Sequence, residues 1–149
     1  LIVSHMFVFY FGIMADLTPP VALAALAASS IARAGHMEIG FLATRIAAAG
    51  YVVPFMAVYD PALMLQGDPS PQLVAYLVVK ALTGIALWGG AAIGYFVTPL
   101  SWLERLWAAA AAALLVAAVP LTDEIGFGVG IAFVLWQWRR GRREATAGR

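Results

Sequence analysis

The stretch HMFVFYFGIMADLTPPVALAALAASSIARA, which runs from His5 to Ala34, decides the fold of this protein. It is almost wholly apolar and long enough to cross a bilayer. Its middle is interrupted by one glycine, one carboxylate, one hydroxyl and two prolines: Gly12, Asp16, Thr18, Pro19 and Pro20. Proline lacks a backbone donor, and its ring clashes with the preceding helical turn. The stretch therefore predicts a half-helix, a short extended piece and a second half-helix.

Such a break carries a functional prediction. Backbone opened at membrane depth is tolerated only where protein buries it or where it lines a polar cavity. Broken helices of this kind form midplane substrate and cation sites in secondary transporters. We therefore predict an ion and substrate site at Gly12, Asp16, Thr18, Pro19 and Pro20, in which Gly12, Asp16 and Thr18 bind sodium. A proline kink that serves packing alone is the alternative.

Oxygen atoms and one helix end supply the expected ligands. Backbone carbonyls freed over residues 12–17 and the Thr18 hydroxyl suit a sodium ion. The proline pair is expected to place Pro20 in the first turn of the second half-helix, Val21–Ala34. The amino end of that half-helix carries a partial positive charge that can face an anionic substrate group. Asp16 either binds the cation or caps the half-helix, and the residues leave both roles open.

Composition places the chain in a membrane. The 149 residues are 63% hydrophobic and 11% charged, with a mean hydropathy of +0.88, which excludes an ordinary soluble domain. The formal net charge of +1 gives no footprint for nucleic acid. Cysteine is absent, so disulfides and thiolate metal sites are excluded. We expect no enzymatic activity and no cofactor beyond sodium as a coupling ion.

The rest of the chain divides into apolar runs with turn signals between them. We predict an amphipathic interfacial connector over residues 35–48, a run over 49–66 kinked by Pro54 and ended by Asp60-Pro61, and a long span over 72–97 closed by Pro99. Two short helices over 106–119 and 125–138, separated by residues 120–124, form a hairpin or a re-entrant pair. The predicted fold is an all-α integral membrane protein with about five membrane segments, the first of them discontinuous, plus the interfacial helix.

Two features of the long span bear on function. Lys80 lies inside it, where a lysine either pairs with a carboxylate, of which Asp60 is the obvious candidate, or extends its ammonium to the interface. Its shallow position favours the second. Ala86, Gly90 and Gly94 form a small-residue face, which is predicted to pack on a neighbouring helix.

Charge placement predicts the orientation. Arg33, Arg45, Arg105 and the terminal arginines fall on one side of the predicted layout. The opposite loops contain Asp68, Asp123 and Glu124 and no basic residue. The positive-inside rule then places the carboxyl terminus in the cytoplasm. The basic tail is expected to anchor at the membrane edge.

The quoted stretch resembles the large membrane subunit of TRAP transporters, especially fused permeases that work with TAXI-type periplasmic binding proteins. Leu17-Thr18-Pro19-Pro20-Val21 is the most specific part, and residues 50–65 and 100–138 continue the likeness. The resemblance implies the C-terminal part of a sodium-coupled permease of the bacterial inner membrane, with an organic anion as substrate. It divides the chain into the end of the transport domain, 1–66, and trailing helices with a basic cytoplasmic tail, 67–149. It implies as partners the rest of the permease, the binding protein and the bilayer.

Two other readings remain. The chain is a non-catalytic membrane scaffold if the prolines only bend a helix. An intramembrane aspartyl protease would need two carboxylates that share a proton, and Asp16 and Asp60 are the candidates. Their sequence contexts fit that class poorly.

His36 and Glu38 lack a third metal ligand nearby and are expected to be solvated.

Overall fold

The computed structural model describes residues 1–117 and 120–147, and helices joined by turns and loops make up these ranges. Seven α-helices occur there, together with two 3-10 turns, Ala48–Tyr51 and Pro61–Met64. The α-helices are α1 (Ile2–Ala15), α2 (Leu23–Ala32), α3 (His36–Ala47), α4 (Val52–Tyr59), α5 (Pro71–Ile93), α6 (Trp102–Val116) and α7 (Pro120–Ala147). Within the described ranges no β-strand forms. The all-α prediction is confirmed.

Two helical stretches are long and apolar enough to cross a membrane. They are His36–Tyr59, which joins α3 to α4, and Pro71–Ile93, which is α5. Most of their residues are not buried, and Phe41 and Leu82 are among the exposed ones, as expected of helices that face lipid. α1 and α2 are apolar but shorter, with 14 and 10 residues. The expected count of five membrane segments stays a prediction.

The proline-containing stretch forms two helices. α1 ends at Ala15, residues 16–22 form turns, and α2 begins at Leu23. The peptide bond between Pro19 and Pro20 is cis. The expectation that Pro20 lies in the first turn of the second half-helix is wrong. Ala22, at φ 37° and ψ 52°, is left-handed, so the right-handed helix starts only after it.

The interfacial connector predicted over residues 35–48 is not a separate element. α3 continues through the 3-10 turn Ala48–Tyr51 into α4. The turn lies directly before Pro54, which has no N–H to donate to the carbonyl of Gly50, so the helix tightens there without stopping. Arg45 of α3 donates to the carboxyl end of α5. Asp60-Pro61 ends α4 as predicted.

α5 is shorter than the predicted span of 72–97. Ser70 caps its start, and Gly94 ends it with φ 83°, a conformation that favours glycine. The predicted small-residue face is wrong in two respects. Gly94 lies past the helix end, and Ala86 is exposed. A Cβ on Gly90 would lie 2.8 Å from the Phe96 ring, so glycine at this position lets the segment after α5 pack closely on the helix.

α6 and α7 pack against each other and against α5. Ser101 and Glu104 form a capping box at the start of α6, which fits the S-x-x-E pattern. The core between these helices is built from Leu87, Phe133 and several alanines of α6. The separating loop predicted over residues 120–124 is wrong, because α7 is helical from Pro120 and continues into the basic tail. Residues 118–119 of the predicted run over 106–119 lie outside the described residues.

Candidate functional site

The break between α1 and α2 lies beside the 3-10 turn that joins α3 to α4. α1 packs along α4, since the ring of Phe7 lies 5.5 Å from that of Phe55, and Phe11 lies 5.8 Å from Tyr51. These pairs run in opposite order along the two helices, which are therefore antiparallel. The break after α1 and the 3-10 turn before α4 consequently lie side by side.

Thr18 joins the two interruptions. Its hydroxyl donates to the carbonyl of Met14 at 2.7 Å and lies 2.6 Å from the hydroxyl of Tyr51. The Thr44 hydroxyl, on α3, lies 3.3 Å from the carbonyl of Leu17. Three hydroxyl oxygens are thus gathered around the opened backbone. Thr18 was predicted here, but Thr44 and Tyr51 were missed because their spacing gave no sign of the break they would face.

An open groove of about 590 Å³ runs along this junction. Of the five predicted site residues, it is lined by Thr18, Pro19 and Pro20. Gly12 and Asp16 are exposed and are not among its lining residues. The structure therefore brings together the hydroxyl and the prolines, while the glycine and the carboxylate face elsewhere in this conformation.

Most carbonyls at the break already accept hydrogen bonds. The carbonyls of residues 13–16 each accept from a backbone N–H, and that of Leu17 accepts from Thr44. Because a carbonyl oxygen has two lone pairs, one hydrogen bond does not exclude a cation. The Asp16 carbonyl accepts from Ala24 N–H at 3.0 Å, whereas no side chain caps α2. The main chain of Asp16, and not its carboxylate, thus meets the start of α2.

The break is held against α3 by close packing. A Cβ on Gly40 would lie 2.9 Å from Pro19 Cγ and 3.3 Å from Ala22 Cβ. His36 Nε2 lies 3.1 Å from the carbonyl of Ala22. The expectation that His36 is merely solvated is therefore wrong: α3 approaches the break closely enough for the imidazole to bond it.

A second polar cluster lies away from the groove. Lys80 is 2% exposed, and its Nζ lies 2.7 Å from Asp123 Oδ2, to which the Tyr76 hydroxyl also donates at 3.1 Å. The preference for an ammonium that reaches the interface is therefore wrong. Asp60 lines a small void beside Lys80 but does not pair with it. The sequence hid this partner because Asp123 was assigned to a loop, whereas it lies in the first turn of α7.

A third cluster ties α7 to α6. Glu104 is buried and accepts from Arg140 Nη1 at 2.9 and 3.0 Å, and from the side chains of Trp136 and Gln137 at 3.1 Å. Gln137 also accepts from the Thr98 hydroxyl at 2.8 Å. The capping pattern at Ser101 signalled part of this role. The contacts with α7 could not be read from spacing, since they join residues more than 30 positions apart.

The two carboxylates considered for a protease, Asp16 and Asp60, lie near opposite ends of α4. Thr18 meets Tyr51 at the start of α4, whereas Asp60 follows its end, so the structure does not bring Asp16 and Asp60 together. In residues 1–117 and 120–147, no group of three His, Asp or Glu side chains is placed to hold a metal ion.

Comparison with known proteins bears on the segment that contains the groove. Residues 1–68 match the family model of the tripartite ATP-independent periplasmic transporter, DctM component. The match supports a component of a TRAP-type transporter. The TRAP match covers α1 to α4 and ends before α5. Neither a curated protein nor a solved structure matches the chain.

The family match agrees with the coarse expectations. The matched family is a membrane-embedded transporter component. The apolar helices His36–Tyr59 and Pro71–Ile93 are consistent with membrane insertion. The predicted resemblance to the TRAP large subunit is thus supported for residues 1–68.

Proposed function

We propose that this chain is the C-terminal part of a TRAP-type permease of the TAXI class, which imports an organic anion together with sodium. The solute would be delivered by a periplasmic binding protein. One observation carries the proposal: the TRAP match covers both the break at residues 16–22 and the 3-10 turn that faces it. The chain would supply one wall of the transport site, and the rest of the permease would supply the other.

The groove offers suitable ligands for the two transported species. Sodium would bind the hydroxyl oxygens of Thr18 and Tyr51 and nearby carbonyls, which are hard oxygen donors of the kind that half-helix ends offer to cations. Asp16 and Gly12 would join this site only after a change of conformation that turns them toward the groove. The amino end of α2 would attract the carboxylate of the substrate.

The arrangement of charge supports an inner-membrane protein with a cytoplasmic carboxyl terminus. Arg45 and Arg105 both contact the carboxyl end of α5. Arg140 contacts the first turn of α6, at the same end of the bundle. Asp68 lies in the loop before α5, at the opposite end. This asymmetry is the one that the positive-inside rule requires.

Sodium-driven uptake tests the proposal. The permease that contains this segment is reconstituted in liposomes with its binding protein. Uptake of labelled organic anion is then measured while an inward sodium gradient is imposed. Thr18→Val, which removes the hydroxyl at nearly constant volume, should raise the sodium concentration for half-maximal uptake by about tenfold or more, as expected for loss of one ion ligand of roughly 1.4 kcal/mol.

Thr83→Val is the matched control. Thr83 also bonds a carbonyl four residues earlier, that of Val79 at 2.8 Å, but it lies on α5 outside the groove. Its sodium dependence should equal that of the unsubstituted permease. Uptake that needs no sodium, or Thr18→Val behaving like Thr83→Val, would contradict the proposal. Assembly that survives without any uptake would favour the scaffold reading.

A further inference from the structure

Two arginines converge on the carboxyl end of α5. Arg45 donates from Nε to the carbonyl of Ala92 and from Nη2 to that of Ile93, both at 2.6 Å. Arg105 donates from Nε to the carbonyl of Ala91 at 2.8 Å and from Nη2 to that of Ala92 at 3.1 Å. The two guanidinium groups, from α3 and α6, therefore cap the same helix end.

The positive charge at this end exceeds what the helix can neutralise. A helix carboxyl end presents about half a negative charge, against two full positive charges here. Over residues 1–117 and 120–147, neither Arg45 nor Arg105 forms an ion pair with a carboxylate. Glu104, which directly precedes Arg105 in sequence, forms its ion pair with Arg140. The Nη1 group of each guanidinium also has no hydrogen-bond partner in the described part of the chain.

An apolar groove opens beside these arginines. Its volume is about 270 Å³, and its wall includes Arg105 together with Trp88, Trp102, Leu106 and small side chains of α5 and α6. The guanidinium of Arg105 lies 5.5 Å from the centre of the Trp102 ring, which is largely exposed. Arginine and tryptophan together are typical of the level of lipid headgroups. Two positively charged guanidinium groups and an apolar groove thus lie next to each other at one end of a helix long enough to span a membrane.

We propose that Arg45 and Arg105 bind the phosphate of an anionic phospholipid whose acyl chain lies in this groove. The planar guanidinium suits phosphate, which can accept from the Nη1 groups that the protein leaves unbonded. Charge complementarity selects an anionic lipid over a zwitterionic one, because the lipid supplies the net negative charge that the protein does not. The inference requires membrane insertion only, and it is independent of sodium coupling and transport.

Quenching of tryptophan fluorescence by brominated lipids tests the site. The 149-residue chain in nonionic detergent is titrated with phosphatidylglycerol or phosphatidylcholine brominated on the acyl chains. We expect the anionic lipid to bind at least tenfold more tightly, because each basic residue at an anionic surface contributes about fivefold. Arg45→Gln and Arg105→Gln should each reduce this preference about fivefold. Circular dichroism and thermal melting establish that each variant is folded.

Two further variants separate the site from general electrostatic attraction. Arg143→Gln removes one exposed charge from the tail and should leave the preference unchanged. Ala109→Phe places a ring in the groove while keeping both arginines, and should reduce quenching by both lipids. It also decides the question if an arginine variant fails to fold.

Four results would overturn the proposal. Equal binding of the two lipids would show that the site does not select an anionic headgroup. A loss of lipid preference in Arg143→Gln as large as in Arg45→Gln would show diffuse electrostatic attraction. Unchanged quenching in Ala109→Phe would show that the acyl chain does not lie in the groove. Displacement of the lipid by millimolar inorganic phosphate would indicate a free-anion site instead.

Discussion

The buried ion pair between Lys80 and Asp123 gives the sharpest prediction on stability. Lys80 is on α5 and Asp123 on α7, and their side chains are 2% and 11% exposed at an Nζ–Oδ2 distance of 2.7 Å. Replacing Asp123 by Leu leaves a buried ammonium without its carboxylate. Replacing Lys80 by Met leaves a buried carboxylate for which, among residues 1–117 and 120–147, Tyr76 is the remaining donor to Oδ2 and no donor reaches Oδ1.

The expected magnitude follows from the burial. Removing one partner of a buried pair costs about 3–5 kcal/mol, because the remaining charge stays desolvated. This corresponds to a factor of about 10² to 4 × 10³ in the ratio of folded to unfolded protein. Replacing both partners by apolar side chains is expected to be close to neutral, since neither charge then needs solvation. The double variant Lys80→Met/Asp123→Leu should therefore be more stable than either single variant.

The measurement is a double-mutant cycle in detergent micelles. Unfolding is followed by tryptophan fluorescence across a denaturant series, and the free energies of the four proteins give the coupling between the two sites. Glu38→Gln, which changes an exposed carboxylate, is the control and should stay within about 0.5 kcal/mol of the parent chain. Single variants that match the parent chain, or effects that simply add in the double variant, would show that the pair does not hold α7 to α5.

Two further predictions concern close contacts and the tail. Gly40→Ala should lower the free energy of unfolding by about 1–3 kcal/mol relative to Gly128→Ala, because only the first Cβ would strike Pro19, at 2.9 Å, while the second meets open space. Denaturant unfolding measures the free energy of unfolding of both variants, and equal effects would contradict close packing of Gly40 on Pro19. Glu104→Gln should loosen the contact with Arg140 and increase amide hydrogen exchange in the tail half of α7, and unchanged exchange would contradict this role.

Several parts of the fold were predictable because they depend on local backbone chemistry. The end of α4 at Asp60-Pro61 and the loop before Ser70 follow from residues that cannot continue a helix. The hydrophobic composition likewise predicted a helical membrane protein. In each case the decisive interaction lies within a few positions along the chain, so spacing alone conveys it.

The polar contacts were not predictable, because each joins distant segments. Asp123 was expected in a loop facing water, yet it pairs with Lys80, 43 positions away. The sequence placed Arg45 only on the basic side of the layout, and its hydrogen bond to the end of α5, 47 positions away, could not be predicted. A charged side chain has the same local pattern whether it meets water or a buried partner. The packing of helices decides between those outcomes.

The candidate site shows the same division. The sequence predicted an interrupted helix with freed carbonyls over residues 12–17 and a second half-helix from Val21, because two prolines disfavour a continuous helix. In the structure the turns lie between Ala15 and Leu23. Only the tertiary structure decided that Thr18 meets Tyr51 across that opening, and that Gly12 and Asp16 lie outside the groove. Helix breaking is a property of single residues, whereas the wall of a groove depends on which helices pack together.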